Sequence, residues 1–182
     1  MLRNKTREMI IISLMTAILC ILGPMTLPIP VSPVPISMVT FVIYISIYVL
    51  GMKQGAVSCL LYLLIGFIGL PVFSGFTGGV GKLFGPTGGY MLGYVFMAII
   101  CGFFIDRWTT KRVLHIIGMM LGTLVCYLFG TVWLSIQAGM SFHAALGVGV
   151  LPFILGDIVK IVTASIAGPV IRKRLIKAGV ID

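Results

Sequence analysis

The chain has 182 residues, of which 59% are hydrophobic and only 9% are charged, and its mean hydropathy is +1.19. A soluble domain carries roughly a quarter of charged residues, and a disordered segment combines low hydrophobicity with high charge. The composition excludes both classes and predicts an all-α integral membrane protein, because no strand-like alternation supports a barrel. The net charge of +9 does not indicate a nucleic-acid partner, since no aromatic residues are interleaved with the basic ones.

Six apolar stretches approach the ~20 residues that a helix needs to cross a bilayer. The second and third are joined by a short turn, Gly51-Met52-Lys53-Gln54. We therefore predict one membrane domain over residues 1–182, with transmembrane helices at about 8–25, 36–51, 54–71, 88–106, 113–137 and 149–171. The first stretch follows a basic start, as in a signal peptide, but no small-x-small cleavage site comes after it. We expect this helix to be retained.

The basic residues collect on one side of these spans, and the opposite side has only Lys82. Because positively charged loops stay in the cytoplasm, we expect both termini to be cytoplasmic. Eleven of the 13 basic residues lie on that side: Arg3, Lys5, Arg7, Lys53, Arg107, Lys111, Arg112, Arg172, Lys173, Arg174 and Lys177.

The four cysteines lie singly in apolar runs, and neither histidine has a second ligand at metal-binding spacing, so we expect no metal centre.

Two connections on the sparsely charged side have unusual compositions. The proline-rich loop (residues 23–35) contains five prolines and no charge, so it has few conformations. It either caps a site or only ends one helix and starts the next. The glycine-rich loop (residues 69–90) interleaves glycines with aromatic residues, and we interpret it as a lid over an apolar ligand. Part of it resembles a phosphate loop, but the spacing is wrong and Leu83 replaces the required Ser or Thr. We expect no ATPase site in the chain.

Asp157 and Lys160 are charges within a predicted span, three residues apart on one helix face. Lys160 lies roughly 18 Å from Arg172, near the middle of a ~30 Å hydrocarbon layer. Each charge costs roughly 2.5–3.5 kcal/mol at a helix centre. The two are either a self-neutralising structural pair or the polar core of a ligand site. We favour the ligand site, because two apolar residues would avoid the cost. Trp133, with Gln137, either lines this site or anchors its helix at the membrane interface.

Three segments form a distinctive combination: Leu61-Tyr-Leu-Leu-Ile-Gly66-Phe-Ile-Gly-Leu-Pro-Val-Phe73, Gly85-Pro-Thr-Gly-Gly-Tyr90 and Leu151-Pro-Phe-x-x-Gly-Asp-x-x-Lys160. In these segments the chain resembles the BioY family, the biotin-binding S components of energy-coupling factor (ECF) transporters. The resemblance covers nearly the whole chain. It implies the six-helix S-component fold and capture of biotin at the outer face of a prokaryotic plasma membrane. It also implies that a transmembrane T component and two cytoplasmic ATPases energise transport.

The resemblance and the chemistry of biotin together predict the contacts. Asp157 would accept a ureido N–H of biotin, and Lys160 would donate to the ureido oxygen or to the carboxylate. Apolar cover and further hydrogen bonds would come from Phe73, Tyr90, Phe153, Trp133, Thr87 and the loop backbone at Gly79. Helix 1 would pack on the T component through Ser13 and Ala17, small residues four apart that permit close approach. The family pattern has Ala where Ser13 stands.

A self-sufficient secondary transporter for biotin or a similar small carboxylate is the alternative function. Against it, no inverted repeat relates residues 1–86 to residues 87–182, and no second acid lies within a span to serve an ion relay. An intramembrane enzyme would need a nucleophile–base pair or a metal cluster, and only Asp157 and Lys160 are available. We therefore expect a non-enzymatic protein without a cofactor, whose ligand is biotin.

Overall fold

The computed structural model describes residues 2–30 and 32–181, with side chains from Lys5 onward. Met1, Val31 and Asp182, which belong to the predicted domain, lie outside the described residues. The elements in chain order are α1 (Leu2–Leu22), β1 (Thr26–Leu27), β2 (Ile36–Ser37), α2 (Val39–Phe67), α3 (Val80–Leu83), α4 (Gly88–Arg107), α5 (Arg112–Ala138), α6 (Phe142–Gly149), a 3-10 turn (Leu151–Phe153) and α7 (Ile154–Lys177).

The chain is mostly helical, and among the residues that the structure describes four helical segments are long and apolar enough to cross a membrane. They are α2, α4, α5 and the run from α6 to α7, Phe142–Lys177. The helix α1 differs from them because its first seven residues include Arg3, Lys5, Arg7 and Glu8. These features agree with the predicted class of a helical membrane protein.

The helix α2 folds back on itself at Gly51, whose φ of 77° lies in the left-handed region that glycine adopts easily. A methyl group on Gly55 would lie 3.6 Å from the Cα of Ile47, whereas residues eight apart in a straight helix are about 12 Å apart. The two halves of α2 are therefore antiparallel neighbours. The Asp106 carboxylate, at the end of α4, accepts a hydrogen bond from the Met52 N–H at 2.7 Å and so caps the second half.

The last predicted helix, at about 149–171, is interrupted and extends further in both directions. The chain leaves helical geometry at Val150, where φ is −127° and ψ is −55°. It then passes through the 3-10 turn, which contains Pro152, before α7 begins. Proline lacks the N–H that a continuous helix needs, which accounts for the break between α6 and α7.

The proline-rich loop contains regular pairing that the sequence does not predict. Thr26 and Leu27 pair antiparallel with Ser37 and Ile36. This short ribbon fixes the loop as a folded-back strap, and it delays the start of α2 to Val39. The strap brings the backbone of Ser37 over the helices.

The two ends of the helix bundle are defined by different contacts. At one end Arg7 Nε, in the first turns of α1, donates to the carbonyl of Val180, which follows α7, at 2.5 Å; it is termed the termini end. At the other end the Gly75 N–H donates to the Pro24 carbonyl at 3.1 Å. This contact joins the glycine-rich loop to the proline-rich loop, and it defines the loop end.

Small residues let α4 and α5 pack closely between the two ends. A methyl group on Gly93 would lie 2.9 Å from the Cα of Cys126, and one on Gly122 would lie 2.6 Å from the Sγ of Cys101. All four cysteines are free. Cys101 and Cys126 serve, with the glycines, as the small packing residues that helix association in membranes favours.

Candidate functional site

A small cavity of about 50 Å³ lies under the loop end, between α2, α4, α5, α7 and the proline-rich loop. Its lining residues are Val34, Pro35, Ser37, Thr40, Tyr90, Tyr94, Thr123, Cys126, Tyr127, Gly149, Phe153, Asp157 and Lys160. A second lobe of about 30 Å³ shares Pro35, Tyr90 and Tyr94 with it and extends to Ser74 and Thr87. The first lobe contains the polar end of the site, and the second lobe extends it along an apolar and aromatic wall.

The polar end is built around the predicted pair on α7. Lys160 Nζ lies 2.8 Å from Asp157 Oδ1, and the two side chains are only 12% and 8% exposed. Lys160 also donates to the Ser37 carbonyl at 2.7 Å and to Thr40 Oγ1 at 3.2 Å. The Tyr127 hydroxyl donates to Asp157 Oδ2. The pair is thus part of a network that joins α7 to the strap, α2 and α5, and it lines the cavity.

The break before α7 positions the aromatic wall. The Gly149 carbonyl accepts a hydrogen bond from the Tyr90 hydroxyl at 2.8 Å. Glycine is required on both sides of this ring, because a methyl group on Gly130 or Gly149 would lie within 2.3 Å of Tyr90 atoms. Tyr90 therefore stands in a fixed position between the two lobes, while Phe153, in the 3-10 turn, is buried against the first.

Thr87 closes the far end of the second lobe. The residue is 7% exposed, and its Oγ1 has no hydrogen-bond partner among the residues that the structure describes. Buried hydroxyls are nearly always satisfied. An unsatisfied one that faces a lobe is therefore a candidate contact for a polar group of a ligand.

Three predicted contacts lie away from both lobes. Phe73 is completely buried and packs on Gly66, where a methyl group would lie 2.0 Å from its ring. Trp133 Nε1 donates to the Gly85 carbonyl at 2.9 Å, and the Gly79 N–H donates to the Gly66 carbonyl at 2.7 Å. All three hold the glycine-rich loop on the bundle. For Trp133, neither of the two predicted roles describes this contact.

Sequence reasoning missed several polar lining residues, of which Tyr127, Ser37 and Thr40 contact the ion pair directly. One signal was available, because residues four apart share a helix face. Hydroxyl-bearing residues recur at this spacing in three apolar helices and lie at or beside the cavity: Thr40 and Tyr44, Tyr90 and Tyr94, and Thr123 and Tyr127.

The predicted partner face of α1 is exposed. Ser13 and Ala17 point away from the bundle, whereas Thr16 points inward and shares a hydrogen bond with Ser58 Oγ at 3.0 Å. The Thr16 side of the helix therefore packs internally, and the Ser13–Ala17 line stays available.

Two further observations concern the charge of Lys82 and the absence of a metal-binding cluster among the described residues. Lys82, in α3 at the loop end, is half-buried, and burial lowers the pKa of its ammonium. Within residues 2–30 and 32–181 no group of three or more His, Cys, Asp or Glu residues is placed to hold a metal ion.

Comparison with known proteins identifies the family. The chain matches the family model of BioY over residues 1–177. It is 33% identical over 168 residues to "Biotin transporter BioY2" of Lactococcus lactis subsp. cremoris, covering 92% of this chain and 91% of that protein. It is 36% identical over 162 residues to "Probable biotin transporter BioY" of Pyrococcus horikoshii, covering 89% and 94%.

A solved structure is similar in fold as well. The crystal structure at 2.1 Å of the S-component for biotin from an ECF-type ABC transporter superposes on this chain with a TM-score of 0.87. The sequences are 31% identical, and the alignment covers 94% of this chain and 93% of the other. By sequence over nearly its whole length, and by fold, the chain belongs to the BioY family.

Proposed function

We propose that this chain is the biotin-binding S component of an ECF transporter, which captures biotin at the outer face of the membrane and delivers it inward when an energising module is coupled. Its membership of the BioY family supports this function, as do relatives named as biotin transporters and a neighbour named as the S-component for biotin. The observation that carries the ligand assignment is the buried Asp157–Lys160 pair, which lines a cavity with aromatic walls.

The chemistry of biotin matches the two lobes. Its ureido group has two N–H donors and one oxygen, its bicycle is apolar, and its valerate chain ends in a carboxylate. Asp157 accepts a ureido N–H, and Lys160 donates to the ureido oxygen or to the carboxylate. Tyr90 and Phe153 cover the bicycle. With the ureido group at the ion pair, the valerate chain passes into the second lobe, where the Thr87 hydroxyl donates to the carboxylate.

The loops act as a lid in this proposal. Lobes of about 50 and 30 Å³ are small beside the roughly 300–1,000 Å³ of typical small-molecule sites. The proline-rich and glycine-rich loops therefore separate to admit biotin and close over it. Phe73, Trp133 and Gly79 serve as anchors of this lid, which is a different role from the direct contact predicted from the sequence.

The proposed arrangement in a prokaryotic plasma membrane has six crossings: α1, the two halves of α2, α4, α5 and the run from α6 to α7. The termini end faces the cytoplasm and the loop end faces outward. The distribution of basic residues supports this orientation. The reversal of α2 at Gly51 supports the number of crossings, because it divides one long apolar helix into two antiparallel ones.

The energising partners are a transmembrane T component and two cytoplasmic ATPases, and the exposed Ser13–Ala17 line of α1 is the proposed contact with the T component. Replacing Ala17 by Trp should prevent assembly with the energising module and leave biotin binding intact. A Trp at Met120, an exposed residue of α5, is the matched control. Equal assembly of the two variants would rule out this contact.

The ligand assignment is tested by titrating the purified chain with biotin, dethiobiotin and lipoate. We expect one biotin per chain, weaker binding of dethiobiotin, which keeps the ureido group but lacks the thioether ring, and no comparable binding of lipoate, which lacks the ureido group. Lipoate binding as tight as biotin binding would contradict recognition by Asp157. Uptake by the lone chain that stops when the proton gradient is dissipated would instead favour a secondary transporter.

A further inference from the structure

A second cavity, much larger than the ligand cavity, opens at the termini end and has a volume of about 530 Å³. It is termed the basic cavity. It lies between α2, the α4–α5 turn, α5 and α7, and none of its residues lines the biotin site. Its polar lining includes Tyr48, Thr110, Arg112, His115, Arg172 and Lys173.

The cations of the basic cavity outnumber the acids that face it. Arg172 Nη1 lies 3.4 Å from Asp106 Oδ1, but this carboxylate already accepts the Met52 N–H at 2.7 Å. Neither Arg112 nor Lys173 forms an ion pair with another residue in the described part of the chain. Three positive charges therefore surround the cavity against one shared carboxylate, so the cavity attracts an anion.

The floor of the basic cavity is rigid and presents no further charge. His115 is buried, with Nε2 at 2.8 Å from the Trp108 carbonyl and Nδ1 at 3.1 Å from the Tyr48 hydroxyl. Nε2 must donate to the carbonyl, and since burial disfavours a charged imidazolium, the ring is neutral and its Nδ1 accepts from the tyrosine hydroxyl. The cations at the rim are therefore the groups left to bind an anion.

One wall of the basic cavity is apolar. Ile105, Pro169 and Ile176 form it, and Ile176 is 46% exposed on the flank of the bundle. A soluble anion has no apolar part to pack against this wall, whereas the acyl chain of a lipid needs an apolar surface beside the phosphate. Basic pockets between membrane helices on the cytoplasmic side are suited to acidic lipid headgroups.

We propose that the basic cavity binds the phosphate of an acidic phospholipid of the inner leaflet, held by Arg112 and Lys173, with the lipid chain running past Ile176. This inference goes beyond biotin transport and rests only on the proposed orientation of the termini end toward the cytoplasm. A lysine or arginine near an anionic lipid surface strengthens binding by about fivefold. Loss of both cations should therefore weaken binding on the order of 25-fold.

The experiment titrates the full chain in detergent with short-chain phosphatidylglycerol, short-chain phosphatidylcholine or inorganic phosphate, and counts bound molecules by native mass spectrometry. The test variant is R112Q/K173Q. The matched control, K111Q/R174Q, removes one lysine and one arginine at the adjacent positions, whose side chains do not line the cavity. A second variant, R112K/K173R, keeps both charges.

We expect phosphatidylglycerol to bind more tightly than phosphatidylcholine and to lose about 25-fold in affinity in R112Q/K173Q. The control and the charge-conserving variant should keep wild-type affinity. Biotin binding should be unchanged in all of them, which monitors folding and separates this test from the proposed function.

Three results would overturn the proposal. Equal loss in R112Q/K173Q and K111Q/R174Q would show diffuse surface charge without a site. Inorganic phosphate that displaces the lipid at the lipid's own concentration would show a site for soluble anions. Unchanged lipid binding in R112Q/K173Q would show that these two cations do not hold the lipid.

Discussion

Replacing Lys160 by Met separates a structural role of the ion pair from ligand binding. The substitution removes hydrogen bonds to the Ser37 carbonyl at 2.7 Å, Thr40 Oγ1 at 3.2 Å and Asp157 Oδ1 at 2.8 Å. Asp157 is buried and keeps only the Tyr127 hydroxyl as a side-chain partner among the described residues. A buried carboxylate is then left without a counter-charge.

The expected loss of stability follows from leaving this carboxylate unpaired. Removing one partner of a buried ion pair costs about 3–5 kcal/mol. In a domain of this size each kcal/mol lowers Tm by roughly 2–4 °C, so the Tm of Lys160→Met should fall by about 6–20 °C. Adding Asp157→Asn removes the uncompensated charge, and the double variant D157N/K160M should regain most of the stability.

The assay measures Tm and biotin affinity of the single and double variants in detergent, with Lys53→Met, at an exposed lysine of the α2 turn, as the control. If the pair binds the ureido group, the double variant should be stable yet bind biotin at least about 100-fold more weakly, since each charge-assisted hydrogen bond is worth about 1.5–3 kcal/mol. A stable double variant with wild-type affinity would show a purely structural pair and refute the site.

Three other substitutions test separate features. Tyr127→Phe should weaken biotin binding about tenfold in a titration, because Asp157 loses a donor that fixes it. Gly51→Ala should lower the Tm by about 2–12 °C without changing biotin affinity, since a non-glycine residue at a φ of 77° and a ψ of −179° costs about 1–3 kcal/mol; Gly147→Ala, in open space, is its control. Lys82→Gln should slow biotin association about two- to threefold at low salt in stopped-flow measurements. Burial lowers the pKa of Lys82, so its charge, and with it the difference from wild type, should disappear at a lower pH than for an exposed lysine.

Each of these expectations has a clear contrary result. Unchanged affinity in Tyr127→Phe would mean that the tyrosine does not position the carboxylate. Equal Tm values for Gly51→Ala and Gly147→Ala would mean that the α2 reversal tolerates a side chain. A rate difference in Lys82→Gln that persists at high salt would point to a direct contact, because electrostatic steering is screened.

The features that could be predicted from the sequence are those with a large energetic cost that is visible within one short segment. A carboxylate and an ammonium within an apolar run are expensive, so Asp157 and Lys160 stood out. A short turn at Gly51 between apolar stretches was also visible. Tyr127 and Ser37 were not, because a tyrosine in a membrane helix or a loop carbonyl gains meaning only from a partner distant in sequence. For Phe73 the sequence does not distinguish an anchor of the lid from a ligand contact, because an aromatic residue serves equally well in either role.

Lys160 has three N–H donors, and its contacts with Ser37, Thr40 and Asp157 occupy all of them. Any incoming acceptor must therefore replace one of these partners, so recognition is an exchange reaction rather than a simple addition. The Ser37 carbonyl is the partner of Lys160 that lies on the strap. If this carbonyl is the partner that is replaced, ligand binding and release of the strap are one event, and ligand occupancy changes the shape of the loop end.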